Sequence, residues 1–417
     1  MALFNRNFVL LWQGQLVSQF GNQAFLIATT FYLLEATGSS TVVAGAMMAG
    51  TIPLAILGPI GGSVADRHSR RAIVVVTDWL RALAIGALGL VIFWRPDVTP
   101  HHIGLIVAVA AFNGVMSALF APALQAMLPD LVPNGRLAAA NSVIQMSRQT
   151  STLVGQALGG LLYVAWGPAG LLLFDASTFI YAGMATWFLP RDQRPPLPKA
   201  SVQVTLQRYI ADTRGGVEYV WRRSGMPAVL GVFAGVNCFF MPVFVLLPFY
   251  TRDVLRAGPE WYGFLLGASG AGALAGSIAA GVVLSRVYAT ASLVRGSVGG
   301  IACCVLVVAL STSTWVAMVA FAAIGALSSL INVAVITAFQ ATVPAEVRGR
   351  VMAVVIAVST AAVPIGMAAG GVLGDVGRGS LPLVFAGSGL AIALLGGISL
   401  ATRGFSDVLD RNRHETT

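Results

Sequence analysis

Apolar residues along this chain fall in long runs rather than in alternation, and each run ends where charges, prolines or paired glycines interrupt it. A helix crossing a bilayer needs roughly 20 mostly apolar residues. Twelve runs meet that length, near 8–34, 41–65, 72–94, 102–128, 138–163, 168–189, 226–250, 259–284, 291–311, 315–341, 351–374 and 381–402. Strands do not fit, because the runs are continuous and exceed the roughly 10 residues of a barrel strand. The pattern predicts an all-α membrane protein with twelve transmembrane helices. A polar stretch after the sixth run divides the chain into an N-terminal half at 1–190, a central linker at 191–225 and a C-terminal half with its tail at 226–417.

The linker opens with a Pro-rich stretch from Arg191 to Pro198. Val202, Leu206, Ile210, Val217 and Val220 then recur at near-helical spacing, with Arg208, Asp212, Glu218 and Arg222 elsewhere around the turn. That spacing predicts an amphipathic helix on a membrane surface, weakened at Gly215 and Gly216; a linker without a fixed helix is the alternative. The two halves also echo one another: Pro133 and Pro344, Gly155 and Gly366, Gly159 and Gly370, and Gly160 and Gly371 all share one offset. Repeated halves are typical of transporters.

Composition sharpens the picture. Hydrophobic residues make up 57% of the chain and charged residues 10%, which excludes an ordinary soluble domain and a disordered chain alike. The net charge of +9 raises the question of nucleic acid, and its distribution answers it. With a cytoplasmic N-terminus, the even-numbered loops and both tails collect 19 of the 25 basic residues, counting Arg295 at the inner end of its run, the opposite loops collect four, and Arg81 and Arg148 lie deeper within runs. This positive-inside bias places both termini in the cytoplasm and makes anionic headgroups, not nucleic acid, the partner of the basic loops. Met1 to Asn7 reads as a short cytoplasmic lead rather than a removable signal. Cys238, Cys303 and Cys304 read as small buried hydrophobes, and no metal-ligand spacing or nucleotide-binding glycine loop is present, so no metal, cofactor or ATP is expected. His101 and His102 are adjacent, but no third metal ligand accompanies them.

The loop between the second and third runs carries Gly62, Asp66, Arg67, His68, Ser69, Arg70 and Arg71. It closely resembles the G-x-x-x-D-R-x-G-R-R signature of the major facilitator superfamily, with Ser69 at the second glycine. Together with the twelve runs, the central linker and the repeat, the resemblance covers essentially the whole chain. It implies two pseudo-symmetric six-helix bundles that work by alternating access as a monomer. Gly62, Asp66, Arg67, Arg70 and Arg71 then form a gating motif, in which Gly62 permits close helix approach, Asp66 faces a helix N-terminus and the arginines anchor the loop at the inner leaflet. Three further stretches look like the drug- and siderophore-exporter branch, which includes macrolide efflux proteins and the enterobactin exporter: Arg6 to Trp12, Leu128 to Pro133 with Arg136 and Asn141, and Asp175 to Phe179. Two positions depart from relatives: Gln156 replaces the proline of a Gly-Pro kink, and Asn22 follows Gly21 where many relatives carry an acid.

Polar residues inside the runs mark candidate chemistry. Gln15, Ser18, Gln19 and Asn22 share one helical face of the first run, which suits a water-filled cavity or, alternatively, helix–helix hydrogen bonding. Asn237, Phe240, Met241 and Phe244 share a comparable face of the seventh. In the superfamily, spans 1, 4, 7 and 10 line the cavity, which adds Asn113, Ser117, Ser328 and Asn332. Ionisable groups in lipid are costly and functional by default. Asp175 is the candidate proton carrier or else a structural acid, Arg148 is its counterion or a contact for substrate charge, and Asp78 and Arg81 are spaced to pair on one helix face. The resulting expectation is proton-driven efflux of an amphipathic small molecule, such as a drug or siderophore, through the inner membrane of a bacterium. Uptake or flipping of a lipid-like metabolite is the alternative, ahead of a polytopic membrane enzyme or a non-transporting sensor.

Overall fold

The first helix, α1 (Arg6–Thr37), starts where the Asn5 side chain accepts a hydrogen bond from the Phe8 backbone N–H at 2.9 Å, and it stops at Gly38, whose left-handed backbone returns its N–H to Leu34. In the computed structural model the described residues are 4–95, 99–132, 136–190, 214–286, 289–377, 380–402 and 404–410. The other helices are α2 (Ser40–Arg67), α3 (Arg70–Trp94), α4 (Pro100–Leu131), α5 (Leu137–Trp187), α6 (214–222), α7 (Met226–Asp253), α8 (Pro259–Arg286), α9 (Thr290–Leu310), α10 (Thr314–Thr342), α11 (Ala345–Val376), α12 (Leu381–Ala401) and the short α13 (Gly404–Leu409). The chain divides into two compact units: residues 1–38 with 45–207, and residues 39–44 with 208–417.

The fifth and sixth runs of the sequence are two helical limbs joined directly at one non-helical residue, Gly167. At 51 residues, α5 is about 75 Å of helical rise, more than twice the hydrocarbon thickness. It reverses at Gly167, whose φ of 66° and ψ of −179° lie in a region essentially reserved for glycine, and Pro168 then starts the second limb. Contacts with α1 prove the reversal. On the first limb Ser147 accepts from Trp12, Ser151 donates to the Leu16 carbonyl and Tyr163 donates to Glu35, so this limb runs parallel to α1. On the second limb Asp175 and Thr178 sit against Gly21, and Ala182 against Gly14, so the direction is opposite. Among the described residues ten helices are long and apolar enough to span a membrane. Counting both limbs of α5, and α1 with its amide stripe, the protein has twelve transmembrane helices in two six-helix bundles.

Each unit uses the same pairings. In the first, α1 packs against both limbs of α5, α3 packs against α4 and α5, and Gly61 and Gly114 bring α2 and α4 together. In the second, α7 packs against α11 and α12, α9 against α12, and α8 against α10 through Gly272, Gly276 and Gly325. The repeated glycines have matching work. A methyl at Gly155 would meet Gln23 of α1 at 2.9 Å, one at Gly159 would strike Ile27, one at Gly366 would strike the Cys238 carbonyl of α7, and one at Gly370 would meet Pro242 at 2.7 Å. Small residues allow close approach between helices that lack a hydrophobic driving force in lipid.

Large apolar side chains such as Leu83, Phe93, Leu310, Leu394 and Leu400 are exposed, as a lipid-facing surface requires. Cys303 is also exposed on α9 and is not the buried filler its apolar surroundings predict; Cys238 and Cys304 are half-buried. The 191–213 part of the predicted amphipathic segment lies outside the described residues. Its end is helical in α6, where Gly216 does not break the helix but lets it approach the Arg350 carbonyl of α11, with Val220 buried. Within the second unit, Asp375 at the end of α11 caps the first turn of α2. Its carboxylate accepts from the Ser39 hydroxyl at 2.6 Å and from the backbone N–H groups of Ser40 and Thr41 at 2.8 and 3.1 Å.

Candidate functional site

The first unit contains a hollow of about 680 Å³ walled by α1, α3, α4 and the first limb of α5, with Leu54 from α2. From α1 it receives the predicted stripe, Gln15, Ser18, Gln19 and Asn22. Ser18 donates to the Gln15 carbonyl at 3.3 Å and Asn22 to the Ser18 carbonyl at 3.0 Å. These bonds stay within the helix and fix the side chains without sending them to a neighbour. Gln15 Nε2 and Gln19 Oε1 are buried and have no protein partner. Of the other candidates, Ser117 on α4 and Arg148 on α5 line the hollow. Asn113 is not among the lining residues, and its Oδ1 is buried without a partner one turn from Ser117.

Arg81 was read from its spacing as the partner of Asp78, and the structure corrects that. Arg81 forms no ion pair with Asp78; its guanidinium crosses to α4, donates to the Ser117 hydroxyl at 2.8 Å and rests over the rings of Phe120 at 4.9 Å and Phe179 at 5.3 Å. It lines the hollow while only 5% exposed. Asp78 and Asp175 are fully buried behind it and do not line the hollow. Both are within electrostatic reach of Arg81. Neither Asp78 oxygen has a hydrogen-bond partner, whereas Asp175 Oδ1 accepts from Thr178 at 3.4 Å and its Oδ2 is unpartnered. Asp175 fits there because Gly21 leaves bare backbone against it.

Sequence reasoning also missed Gln23, Gln125, Asn141, Gln145 and Thr152 as lining residues. The last three had a readable signal. Asn141, Gln145, Arg148 and Thr152 follow spacings of about 3.6 and so share one face of the first limb of α5. The six candidates of the C-terminal half belong to the second unit and are not among the residues lining this hollow. Asn237 donates to the Phe233 carbonyl at 2.9 Å; Phe240, Met241 and Phe244 are half-buried beside it, and Ser328 and Asn332 are exposed one turn apart on α10.

At the end of the bundle where α1 begins, Phe8, Leu11, Ala65, Val74, Met127 and Leu189 form a closed apolar cluster beside the α2–α3 loop. Ser69 stands where the superfamily signature has glycine and has a local reason: its φ is −58°, and its hydroxyl accepts from the Ala72 N–H at 3.2 Å as the N-cap of α3. Arg70 donates to the Ala126 carbonyl at 2.8 Å and pairs with Asp130 at 3.1 Å, tying the loop to the end of α4. Arg71 bonds the carbonyls of Thr186 and Trp187 and lies over the Trp187 ring, tying it to the end of α5. Arg67 closes α2, and the side chain of Asp66 lies outside the described residues. The close-approach role expected of Gly62 belongs to its neighbour: a methyl at Gly62 would enter open space, whereas one at Gly61 would strike the Ala118 carbonyl.

Known proteins share this architecture. The profile of the family described as transmembrane secretion effector matches residues 2–414. Macrolide efflux protein A of Streptococcus pyogenes is 28% identical over 252 residues, covering 60% of each chain, so the match spans less than two thirds of that relative. Multidrug efflux pump Tap of Mycolicibacterium fortuitum is 27% identical over 400 residues, covering 94% of each. Among solved structures, a bacterial homologue of the iron transporter ferroportin in its inward-facing state gives a TM-score of 0.69 at 18% identity, covering 96% of this chain and 99% of that one. A POT family transporter in complex with 5-aminolevulinic acid gives 0.74 at 13% identity, with 97% and 96% covered. The whole-length match and the twelve-helix architecture establish that this integral membrane protein belongs to the major facilitator superfamily, in its transmembrane secretion effector family.

Proposed function

We propose that the protein is a secondary active exporter of amphipathic small molecules, of drug or siderophore type, driven by proton antiport. It resides in a bacterial inner membrane with both termini in the cytoplasm and acts as a monomer. One observation supports this reading above the others: the hollow of the first unit carries arginine, amide and hydroxyl groups inside a bundle whose outer face is apolar. Polar lining at membrane depth is costly unless a hydrated substrate path uses it. Two relatives with efflux in their names point the same way. Asp66, Arg67, Arg70 and Arg71, with Gly62, act as the gating loop. Gln15, Gln19, Asn22, Asn113 and Ser117, with Asn237, Phe240, Met241, Phe244, Ser328 and Asn332, contact substrate. Asp175 exchanges the proton, and Arg148 receives substrate charge.

Proteoliposomes under an imposed pH gradient test this. Wild-type protein is expected to move a labelled drug or siderophore against its concentration, and a protonophore abolishes the movement. Asp175→Asn is expected to lose gradient-driven accumulation while retaining substrate binding; coupled flux that persists in this variant removes Asp175 from the mechanism. Gradient-independent movement of lipid analogues would instead support flipping.

A further inference from the structure

The hollow of the first unit has a one-sided charge. Its lining contains seven amides and two arginines, Arg81 and Arg148, and no carboxylate among the described residues. Arg148 sits within a span, exposed into this space, and forms no hydrogen bond or ion pair among the described residues. The membrane-depth acids of this half, Asp78 and Asp175, are fully buried and do not line the hollow, although both are within electrostatic reach of Arg81. The C-terminal half has no counterpart in its sequence: its acids are Asp253, Glu260, Glu346, Asp375, Asp407, Asp410 and Glu415, and none falls in the middle of an apolar run.

An uncompensated arginine within a span is among the most expensive groups a membrane protein carries. Its planar fork matches an oxyanion with two parallel hydrogen bonds. Arg81 adds a second donor set that is held in place, because the Ser117 hydroxyl and the two flanking rings fix the guanidinium while Nε remains unpartnered. Amides then serve the neutral polar atoms of a ligand, and Leu54, Phe120 and Leu124 provide an apolar wall.

We infer that this hollow is an oxyanion-binding subsite, in which Arg148 and Arg81 hold the carboxylate or phosphate of an amphiphilic ligand. The inference rests on the transport reading and gives the cargo its charge: an organic anion rather than a neutral or cationic amphiphile.

The test is equilibrium binding to the full chain in phosphatidylcholine nanodiscs, using a fluorescent coumarin carboxylic acid, its neutral methyl ester and a cationic aminoalkyl amide of the same dye. The acid is expected to bind at least about tenfold more tightly than either twin, and Arg148→Gln to remove about tenfold of that affinity without weakening the ester. Arg81→Lys retains a cation against the buried acids and is expected to weaken the acid selectively. Size-exclusion and thermal unfolding identify a misfolded variant, and Arg148→Gln, at an exposed position, keeps the test open if Arg81→Lys unfolds. Adding phosphatidylglycerol separates the two sources of the anion. Loss of acid affinity in the wild type but not in Arg148→Gln identifies a lipid headgroup as the competitor, and no selective loss identifies a soluble ligand. Equal binding of the three dyes, or a preference for the acid that survives both substitutions, overturns the inference. Either result leaves the export reading to be judged by flux alone.

Discussion

At the residue scale, the glycines show how closely function and packing are joined. Gly21 and Gly62 flank two different candidate features, yet only one is sterically committed. A methyl at Gly21 would strike Asp175 Oδ1 and the Thr178 hydroxyl, whereas one at Gly62 would meet nothing within 4 Å. Gly21→Ala is therefore expected to lower thermal stability by about 1–3 kcal/mol, the usual cost of overpacking, while Gly62→Ala should unfold within a degree or so of the wild type. Arg70 offers a second test. Its bonds to the Ala126 carbonyl and to Asp130 are partly buried. Arg70→Ala is expected to cost about 1 kcal/mol and Asp130→Asn less, since the carbonyl bond remains in the second variant. The amide stripe of α1 was legible in the sequence because it follows from helical spacing alone. The Arg70–Asp130 pair was not, because its partners are 60 residues apart and only the fold brings them together. Arg81 misled for the opposite reason: a nearby acid on its own helix looked sufficient, but the hydroxyl and rings of other helices hold its guanidinium instead.

At the element scale, α5 shows how tightly two spans can be joined. Two apolar runs, 138–163 and 168–189, are visible in the sequence, and both are helical limbs in the structure. One glycine conformation, at Gly167, reverses the chain between them. Gly167→Ala forces a side chain into backbone space that L residues rarely occupy, so a loss of about 1–3 kcal/mol is expected in detergent unfolding. The capped start of α2 makes a milder prediction. Asp375→Ala removes the acceptor for Ser39, Ser40 and Thr41, and about 1 kcal/mol of stability is expected to go with it. The internal repeat was legible because glycines at one offset are visible without coordinates. Their purpose was not, since Gly155 and Gly366 take their meaning from α1 and α7, which approach them from distant parts of the chain.

At the scale of the whole molecule, apolar run length was enough to specify a twelve-helix membrane protein, because the bilayer imposes that length; the basic-residue bias bears on the proposed orientation. The hollow was half legible. Gln15, Gln19, Asn22, Ser117 and Arg148 were expected there, but its cationic bias was hidden. Sequence gives the number of charges at membrane depth, and only packing separates the arginines on the lining from the acids behind it. A fluorescent-protein fusion at the C-terminus is expected to fluoresce in intact bacterial cells if that end is cytoplasmic; a dark fusion in a folded, membrane-inserted protein would reverse the proposed topology.

The turn at Gly167 has a consequence for biosynthesis. With no connecting segment between its limbs, α5 offers the translocation machinery nothing to thread across the membrane separately. Both limbs should therefore enter lipid as a helical hairpin with Gly167 at its tip, and a polar segment inserted at that tip is expected to lengthen the exposed turn without changing the side on which either limb ends.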